Sequence, residues 1–407
     1  MKKHYLLTFC LLLVAGRLFS QDSNELKLRV EKGSIQMATD DSQFKFGMGG
    51  RVFMDAAGYF DDKTDLGSGS EIRDVRLLMT ASLWGKWDAK INIGFDGGAV
   101  SLKDVFLQYN INKNSFFRAG HFLEPFGIEQ TESSKTIKFM HVSSTVEAFR
   151  PGRNLGVSYD RWGNNYYWAL GLFGSDVNNT VSNQDEDFGM TSRLVVSPFH
   201  KENIMHFGLS GTYRSVNPIT TSVENRYYNT STEKGSVRYR SRAATHIEGR
   251  RFIDATVDNA ESQFKYGIEM IAATGPVSIQ GEVIKAKVNY DSGSSYYSDE
   301  YMTNGLYVQM GFLLKGGSYK YNMKSARLAK PSPGSIELLA RYNETDLNDD
   351  DTEIMGGKQK DISLGCTWYV NHNVLMKLNF TNVDLDENAL NGEENFNMIQ
   401  TRLQFSF

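Results

Sequence analysis

The chain has 407 residues and a formal net charge of −4, and it combines 12% aromatic residues and 37 glycines with only 7 prolines. The small acidic excess excludes the concentrated positive charge of a nucleic-acid-binding protein. After residue 20, no stretch approaches the roughly 18 consecutive apolar residues of a membrane-spanning helix, so a helical membrane protein is excluded as well.

Residues 1–20 have the features of a cleaved secretory signal peptide. Lys2 and Lys3 precede an apolar run over residues 5–15, and Ser20 supplies the small side chain expected before a cleavage site. Cleavage there removes three basic residues and no acidic ones, so the formal charge falls from −4 to −7. The remaining chain has a single cysteine and therefore no intramolecular disulfide. These features predict an exported protein.

Beyond the signal peptide, residues 21–43 are polar with short apolar stretches, and we expect them to form a periplasmic lead-in. From residue 44 onward, apolar and polar side chains alternate, as they do along a β-strand with one apolar face. In the last run, Ile399, Leu403 and Phe405 share one parity, whereas the residues between them are mostly polar. Sixteen such runs follow one another: 44–60, 71–84, 87–96, 103–111, 116–123, 153–162, 165–174, 187–197, 203–215, 261–273, 276–290, 301–314, 335–345, 358–370, 372–384 and 395–407.

Alternation alone fits a soluble β-sandwich or β-solenoid as well as a transmembrane barrel. Two regularities favour the barrel: the number of runs is even, and short turns alternate with longer polar connections along most of the chain. Residues 315–334 are the exception, because this long connection falls on the side of the short turns. We therefore predict an all-β protein, with residues 44–407 forming a transmembrane antiparallel β-barrel of about 16 strands with short periplasmic turns and longer extracellular loops.

Five stretches carry a family resemblance: RAGHFLEPFGIEQTESSKTIKFM (118–140), FRPGRNLGVSYD (149–160), GPVSIQGEV (275–283), GSIELLARYNETDLND (334–349) and LGCTWYVNHNVLMKLNF (364–380). They resemble the phosphate-selective porins of the O and P type. The resemblance implies a trimeric outer-membrane porin with sixteen strands. It also implies that the insertions 124–152 and 216–260 and the long turn 315–334 fold into the lumen. The chain departs from the family pattern at residues 141–142, which are His-Val where the family often has Glu-Arg.

A channel that passes anions needs fixed positive charge at its narrow points, weak enough at each site to allow release. Arginine suits this role because it stays charged and its planar group fits phosphate or carboxylate. Arg238, Arg240 and Arg242 recur at period two, so an extended segment would place them on one face. In the family, a comparable basic stretch contributes to an arginine ladder along the pore. The alternative is a solvated basic loop, since Glu233 and Glu248 lie nearby.

Basic residues at three other places are further candidates for the anion pathway. Arg51, Arg76 and Arg402 have lumen parity on three runs that become neighbours in a closed barrel. The alternative for these three is structural pairing with Asp55 and Asp74. The remaining candidates are basic residues of the first insertion, as constriction charges, and of the long turn, at the periplasmic exit: Lys135, Lys138, Arg150 and Arg153, and Lys320, Lys324 and Arg327.

These observations predict an outer-membrane porin that is not an enzyme. It would form a diffusion channel for small hydrophilic solutes, with a preference for anions such as phosphate. The expected partners are outer-membrane lipid, small anionic or polar solutes and, from the resemblance, further copies of the chain in a homotrimer. No nucleic acid, cofactor or metal is expected. Two other functions stay open, namely an adhesin or scaffold that works through its loops, and a membrane hydrolase. The scattered histidines show no recognisable catalytic context, which argues against the hydrolase.

Overall fold

The computed structural model describes residues 26–31, 33–95, 99–177, 187–216, 219–222, 230–233, 235–290 and 300–407. The predicted signal peptide, residues 1–20, and the first residues of the predicted lead-in lie outside this part of the chain. Among the residues described, no helix is both long and apolar enough to cross a membrane.

The described chain is built almost entirely from β-strands. The strands are β1 (Leu26–Glu31), β2 (Ser34–Thr39), β3 (Phe44–Phe60), β4 (Gly69–Leu83), β5 (Trp87–Gly94), β6 (Ser101–Asn112), β7 (Ser115–Leu123), β8 (Arg153–Trp162), β9 (Tyr166–Phe173), β10 (Gly189–His200), β11 (Asn203–Ser215), β12 (Ile219–Ser222), β13 (Thr230–Glu233), β14 (Val237–Ser241), β15 (Ile253–Val257), β16 (Ala260–Thr274), β17 (Val277–Tyr290), β18 (Glu300–Lys315), β19 (Tyr321–Asn322), β20 (Arg327–Leu328), β21 (Ile336–Asp349), β22 (Ile354–Trp368), β23 (Val374–Leu385) and β24 (Glu394–Ser406). The first insertion contains a short helix, α1 (Ser144–Phe149).

Sixteen of these strands close into a barrel. Strands β3–β11, β16–β18 and β21–β24 pair antiparallel with their neighbours, and β24 returns to pair with β3, so that Arg402 lies opposite Asp55. Each of the sixteen alternating runs forms one of these strands, which confirms the predicted barrel. The long turn between β18 and β21 also stands where the sequence placed it, at the end of the barrel with the short turns.

The alternation decides which side chains face outward. On β24, Leu403 and Phe405 are 44% and 45% exposed, whereas Gln404 between them is 1% exposed. On β3, Met54 is 51% exposed and its neighbour Phe53 is buried. The apolar face therefore lies outside and the polar face lines the lumen, which is the reverse of a soluble protein and suits a hydrocarbon surrounding.

A hairpin precedes the barrel. Strands β1 and β2 pair with each other, and β2 continues the sheet by pairing with the start of β3, where Ile35 lies opposite Met48. At the same end of the barrel, Gly50 and Phe407 exchange backbone hydrogen bonds of 2.8 and 3.0 Å. A side chain at Gly49 would meet the Phe407 carbonyl oxygen at 2.4 Å, so this close approach requires glycine.

Described parts of three inserted segments fold into the lumen, as the resemblance implies. Inside the barrel, Phe149 of α1 and Tyr239 of β14 share one apolar cluster with Phe252 and with Tyr301 and Phe396 of the wall. The long turn, which carries β19 and β20, packs against the inner wall from the opposite end.

Candidate functional site

The first insertion is held against one side of the inner wall by buried polar contacts. Glu282 of β17 accepts hydrogen bonds from the backbone N–H groups of Ile128 and Glu129 at 3.0 and 2.9 Å. Lys138 forms a buried ion pair with Glu337 of β21. Because the insertion lies on that side, the open space runs along the opposite wall, formed by β3–β8.

This open space begins as a cavity of about 300 Å³, which we call the central passage. Its charged lining side chains come from five wall strands, the first insertion and the long turn: Arg51, Arg76, Lys90, Asp104, Lys135, Arg153 and Arg327. Six of these are basic and one is acidic. A water-filled cleft lined by charge of one sign concentrates ions of the other sign, so this passage favours anions.

Asp74 positions two of the wall arginines. It accepts a hydrogen bond from Arg51 Nη2 at 2.6 Å and one from Arg76 Nε at 2.8 Å. Arg51 also donates to Ser134 Oγ of the first insertion at 2.6 Å. Charge-assisted bonds of this length fix the guanidinium groups in place. Since one carboxylate serves two cations, the cluster keeps a net positive charge.

Asp104 plays the same part on the neighbouring strands. It accepts from Lys90 Nζ at 2.6 Å and from Arg153 Nε at 2.8 Å. Arg327, from the long turn, donates to the backbone carbonyl of Thr131, which is a neutral partner. Because Asp104 is shared by two cations, net positive charge faces the passage.

Lys135 projects from the first insertion into the same passage. It is half-buried, and none of the described residues brings a carboxylate within ion-pair distance of its ammonium group. Burial and the positive charges of Arg51, Lys330 and Lys90 lower the pKa of Lys135 below its ordinary value. An arriving anion would relieve this repulsion, so Lys135 is suited to bind one.

Toward the long loops, the passage continues into a second cavity, the outer chamber. Its charged lining residues are Arg73, Asp74, Arg76, Lys103, Glu129, Glu132, Glu147, Arg150, Arg153, Arg242 and Arg402. Glu147 of α1 accepts from Arg242 at 2.7 Å and also pairs with Arg251. Burial opposes its ionisation, but three neighbouring guanidinium groups, led by that of Arg251, lower the pKa of Glu147. Arg150 is exposed to the lumen, so positive charge in excess continues into this chamber.

Several predicted pathway residues do not line the central passage. Arg402 donates to both carboxylate oxygens of Asp55 at 2.7 Å, and the pair is buried, so the alternative of structural pairing describes its geometry. Lys138 is buried in the wall contact and lines neither cavity. In the long turn, Lys320 is exposed, and Lys324 borders a third cavity next to the central passage.

The arginines at period two belong to the hairpin β14–β15. Arg238 and Arg240 lie on its exposed face, as their spacing predicts, and Arg238 pairs with Asp254 of β15 at 2.5 Å. Arg242 lies just beyond the end of β14 and turns to Glu147. The spacing therefore brings two of the three arginines to one face, and the third enters the outer chamber.

Alternation alone missed Arg73, which lines the outer chamber although its parity points outward. Between β3 and β4 the register shifts, because Phe53 lies opposite Asp74 and Met54 lies opposite Ile72. Arg73 is the extra residue of this β-bulge. A bulge interrupts the alternation of side chains, so Arg73 can face the lumen although its parity predicts the outer face. The signal in the sequence was the adjacent charged pair Arg73-Asp74 inside an otherwise alternating run.

A closed sixteen-stranded barrel with an apolar outer surface, a charged lumen and inserted segments that narrow it defines the class of outer-membrane porins. The protein is thus a channel of the outer membrane. The family described as "Phosphate-selective porin O and P" matches residues 46–407, and the chain belongs to this family. The family resemblance found in the sequence is thereby confirmed.

Known relatives and solved structures agree with this assignment. The chain is 23% identical over 418 residues to Porin O of Pseudomonas aeruginosa, covering 92% of this chain and 91% of that protein. It is similar to the anion-selective porin from Comamonas acidovorans, with a TM-score of 0.54 at 13% identity, covering 89% of this chain and 100% of that one. OmpT in its trimer form, an outer membrane protein of Vibrio cholerae, gives a TM-score of 0.56 at 8% identity, covering 89% and 99%. The structural likenesses show the shared fold.

Proposed function

We propose that the protein is a diffusion channel that prefers small anions, phosphate or anions of similar size, over cations. The observation that carries this proposal is the central passage, where six of the seven charged lining side chains are basic. Asp74 pairs with Arg51 and Arg76 from behind, and Asp104 pairs with Lys90 and Arg153. Two carboxylates therefore accompany six cations, so the passage keeps a net positive charge. A narrow positive stretch lowers the energy of an anion and raises that of a cation.

The proposed path leads from Arg150 and Arg242 in the outer chamber to Arg51 and Arg76 in the central passage. Most cations on this path already share a carboxylate, so an anion competes with an existing partner and binds weakly enough to leave again. Lys135 has no such partner among the described residues and is proposed to be the strongest single site.

Other basic residues are assigned supporting roles in this proposal. The exposed arginines of β14 concentrate anions at the outer mouth, and the lysines of the long turn do so at the exit: Arg238 and Arg240, and Lys320 and Lys324. Arg402 and Lys138 instead hold the wall and the insertion in position through Asp55 and Glu337.

The comparisons support an anion channel rather than the alternatives. The family is described as phosphate-selective, and one structural neighbour is described as an anion-selective porin. An adhesin, a scaffold or a membrane hydrolase is not favoured for a member of a porin family. Among the described residues, no group of three or more His, Cys, Asp or Glu side chains is placed to hold a metal ion.

The proposal extends to assembly and export. A homotrimer is supported by the trimer form of one structural neighbour. Residues 1–20 are proposed to be a signal peptide that is removed on export. The hairpin β1–β2, within the predicted lead-in 21–43, is proposed to face the periplasm because it stands at the end of the barrel with the short turns.

Phosphate flux tests the proposed function. Purified protein is reconstituted into liposomes, and the uptake of labelled phosphate is compared with that of a small neutral sugar alcohol. The double variant Arg76→Gln/Lys135→Gln is expected to slow phosphate uptake while leaving the neutral solute unchanged. Equal loss of both fluxes would point to a damaged barrel, and no loss of phosphate flux would contradict the role of the central passage.

A further inference from the structure

A third cavity, the side chamber, adjoins the central passage. Its volume is about 370 Å³, and it shares Lys90, Asp104 and Arg327 with the passage. The wall consists of parts of β5–β10, and the long turn closes one side. Four aromatic side chains border it: Phe106, which is partly exposed, and Phe116, Phe122 and Tyr167, which are buried. The chamber therefore places aromatic side chains beside charged residues that it shares with the passage, and its size is that of a small-molecule site.

Arg118 of β7 is held inside this aromatic wall. Its guanidinium carbon lies 4.5, 4.7 and 5.1 Å from the ring centres of Phe106, Phe116 and Phe122. It also donates to Gln108 Oε1 at 3.0 and 3.3 Å. None of the described residues places a carboxylate against it. Cation–π contacts fix the group without neutralising it, so the charge stays available to a ligand.

Lys324 faces the same chamber from the long turn. Its ammonium nitrogen lies 5.5 Å from the centre of the Trp162 ring, and this ring lies 6.0 Å from that of Phe116. In the described part of the chain, no carboxylate pairs with Lys324 either. Two uncompensated cations thus rest on one connected group of aromatic rings, one on the wall and one on the turn.

The acidic residues of the chamber are already engaged. Asp160 accepts hydrogen bonds from Tyr167 at 2.7 Å and from Ser158 at 2.9 Å. Asp104 is shared by Lys90 and Arg153. Neither carboxylate contacts Arg118 or Lys324, so the chamber offers positive charge next to aromatic surface.

A ligand with both chemical features would use this arrangement fully. An inorganic anion is attracted by the two cations, but the aromatic rings do not compensate for the hydration that it loses. A planar ring that carries an oxyanion gains from both, because aromatic and guanidinium faces stack on flat rings. We propose that the side chamber binds small organic anions with a planar ring, such as aryl phosphates and aromatic carboxylates, beside the main path. This inference rests on the proposed anion preference of the channel and specifies a further class of solute.

Current block in a planar bilayer tests the inference with a matched pair of anions. Inorganic phosphate and phenyl phosphate are both mainly dianions at about pH 8, and they differ by the ring. In the native channel, phenyl phosphate is expected to halve the chloride current at about one tenth of the concentration that inorganic phosphate requires. Equal potency of the two anions would overturn the proposed ring site.

Variants of the side chamber show which residues cause the difference in potency between the two anions. Arg118→Gln removes the caged charge and is expected to bring the two potencies within about twofold, whereas Arg161→Gln, at an exposed outward position on β8, should leave the tenfold difference intact. Lys324→Gln provides a second test on a separate element and should reduce the difference several-fold. If either Arg118→Gln or Lys324→Gln forms channels and keeps the native difference in potency between the two anions, the inference is overturned. A native channel that favours potassium over chloride would instead contradict the proposed function itself.

Discussion

Replacing Lys135 with glutamine measures what a single charge contributes to ion preference in the central passage. A unit charge about 5 Å from a permeating ion contributes about 0.8 kcal/mol in a water-like medium. Screening at roughly 0.1 M salt reduces this to about 0.5 kcal/mol. The charge lowers the energy of an anion in the passage and raises that of a cation by the same amount. Its loss therefore changes the energy difference between the two ions by about 1 kcal/mol. The chloride-to-potassium permeability ratio should therefore fall about fivefold.

The assay is the zero-current potential of reconstituted channels under a KCl gradient, compared between native protein and Lys135→Gln. Lys113→Gln is the matched control, because Lys113 is exposed in the short turn between β6 and β7. It should leave the potential unchanged. If Lys135→Gln forms channels of normal conductance and keeps the native potential, the charge of Lys135 does not act on ions in the passage, contrary to this prediction.

Three other outcomes follow from the same geometry. The pKa of Lys135 is lowered below 10.5 by burial and by the charges of Arg51, Lys330 and Lys90. Lys135 should therefore lose its charge, and the channel part of its anion preference, before the pH reaches 10.5. Zero-current potentials measured against pH should show this decline in the native channel and not in Lys135→Gln. Asp104→Asn removes the carboxylate shared by Lys90 and Arg153, so the permeability ratio should rise, and a fall would contradict the assignment of these cations. Lys138→Met leaves buried Glu337 with only the hydroxyls of Tyr319 and Tyr369 as partners, each at 2.6 Å. The free energy of unfolding, measured with denaturant, should fall by about 3 kcal/mol. Adding Glu337→Gln to the same chain should restore part of this loss.

The barrel could be predicted because its signal is local. Alternation at period two identifies a strand wherever one face meets lipid and the other meets water, and each of the sixteen runs obeys it. Strand ends are less certain, because they depend on the partner strand. The run predicted over 358–370 is β22 (Ile354–Trp368), since its pairing with β21 extends to Ile354 opposite Asp349.

The site was only partly predictable because its geometry depends on contacts distant in sequence. Arg51, Arg76, Lys135 and Arg153 were found from parity and from the family resemblance, and all four line the central passage. Lys138 has the same local appearance as Lys135, three residues earlier. It lies instead in the wall contact, because its partner belongs to β21, and nothing near it in the sequence reveals this.

Two further residues show the same limit. Lys90 alternates with the apolar residues of the run 87–96, but its importance comes from sharing Asp104 with Arg153, a residue at the far end of the first insertion. Arg118 gains its position from three rings on β6 and β7 that the alternation places on one face without showing how they meet. Register, bulges and the docking of inserted segments decide such contacts, and these are properties of the whole barrel.

The most direct test of an anion-preferring passage is the zero-current potential of the native protein in a planar bilayer separating two KCl concentrations. The potential should have the sign produced by chloride flow, and it should move toward zero as the salt concentration is raised and the charges are screened. A potential of the opposite sign, showing preference for potassium, would contradict the assignment of the six basic residues of the central passage as its selective element.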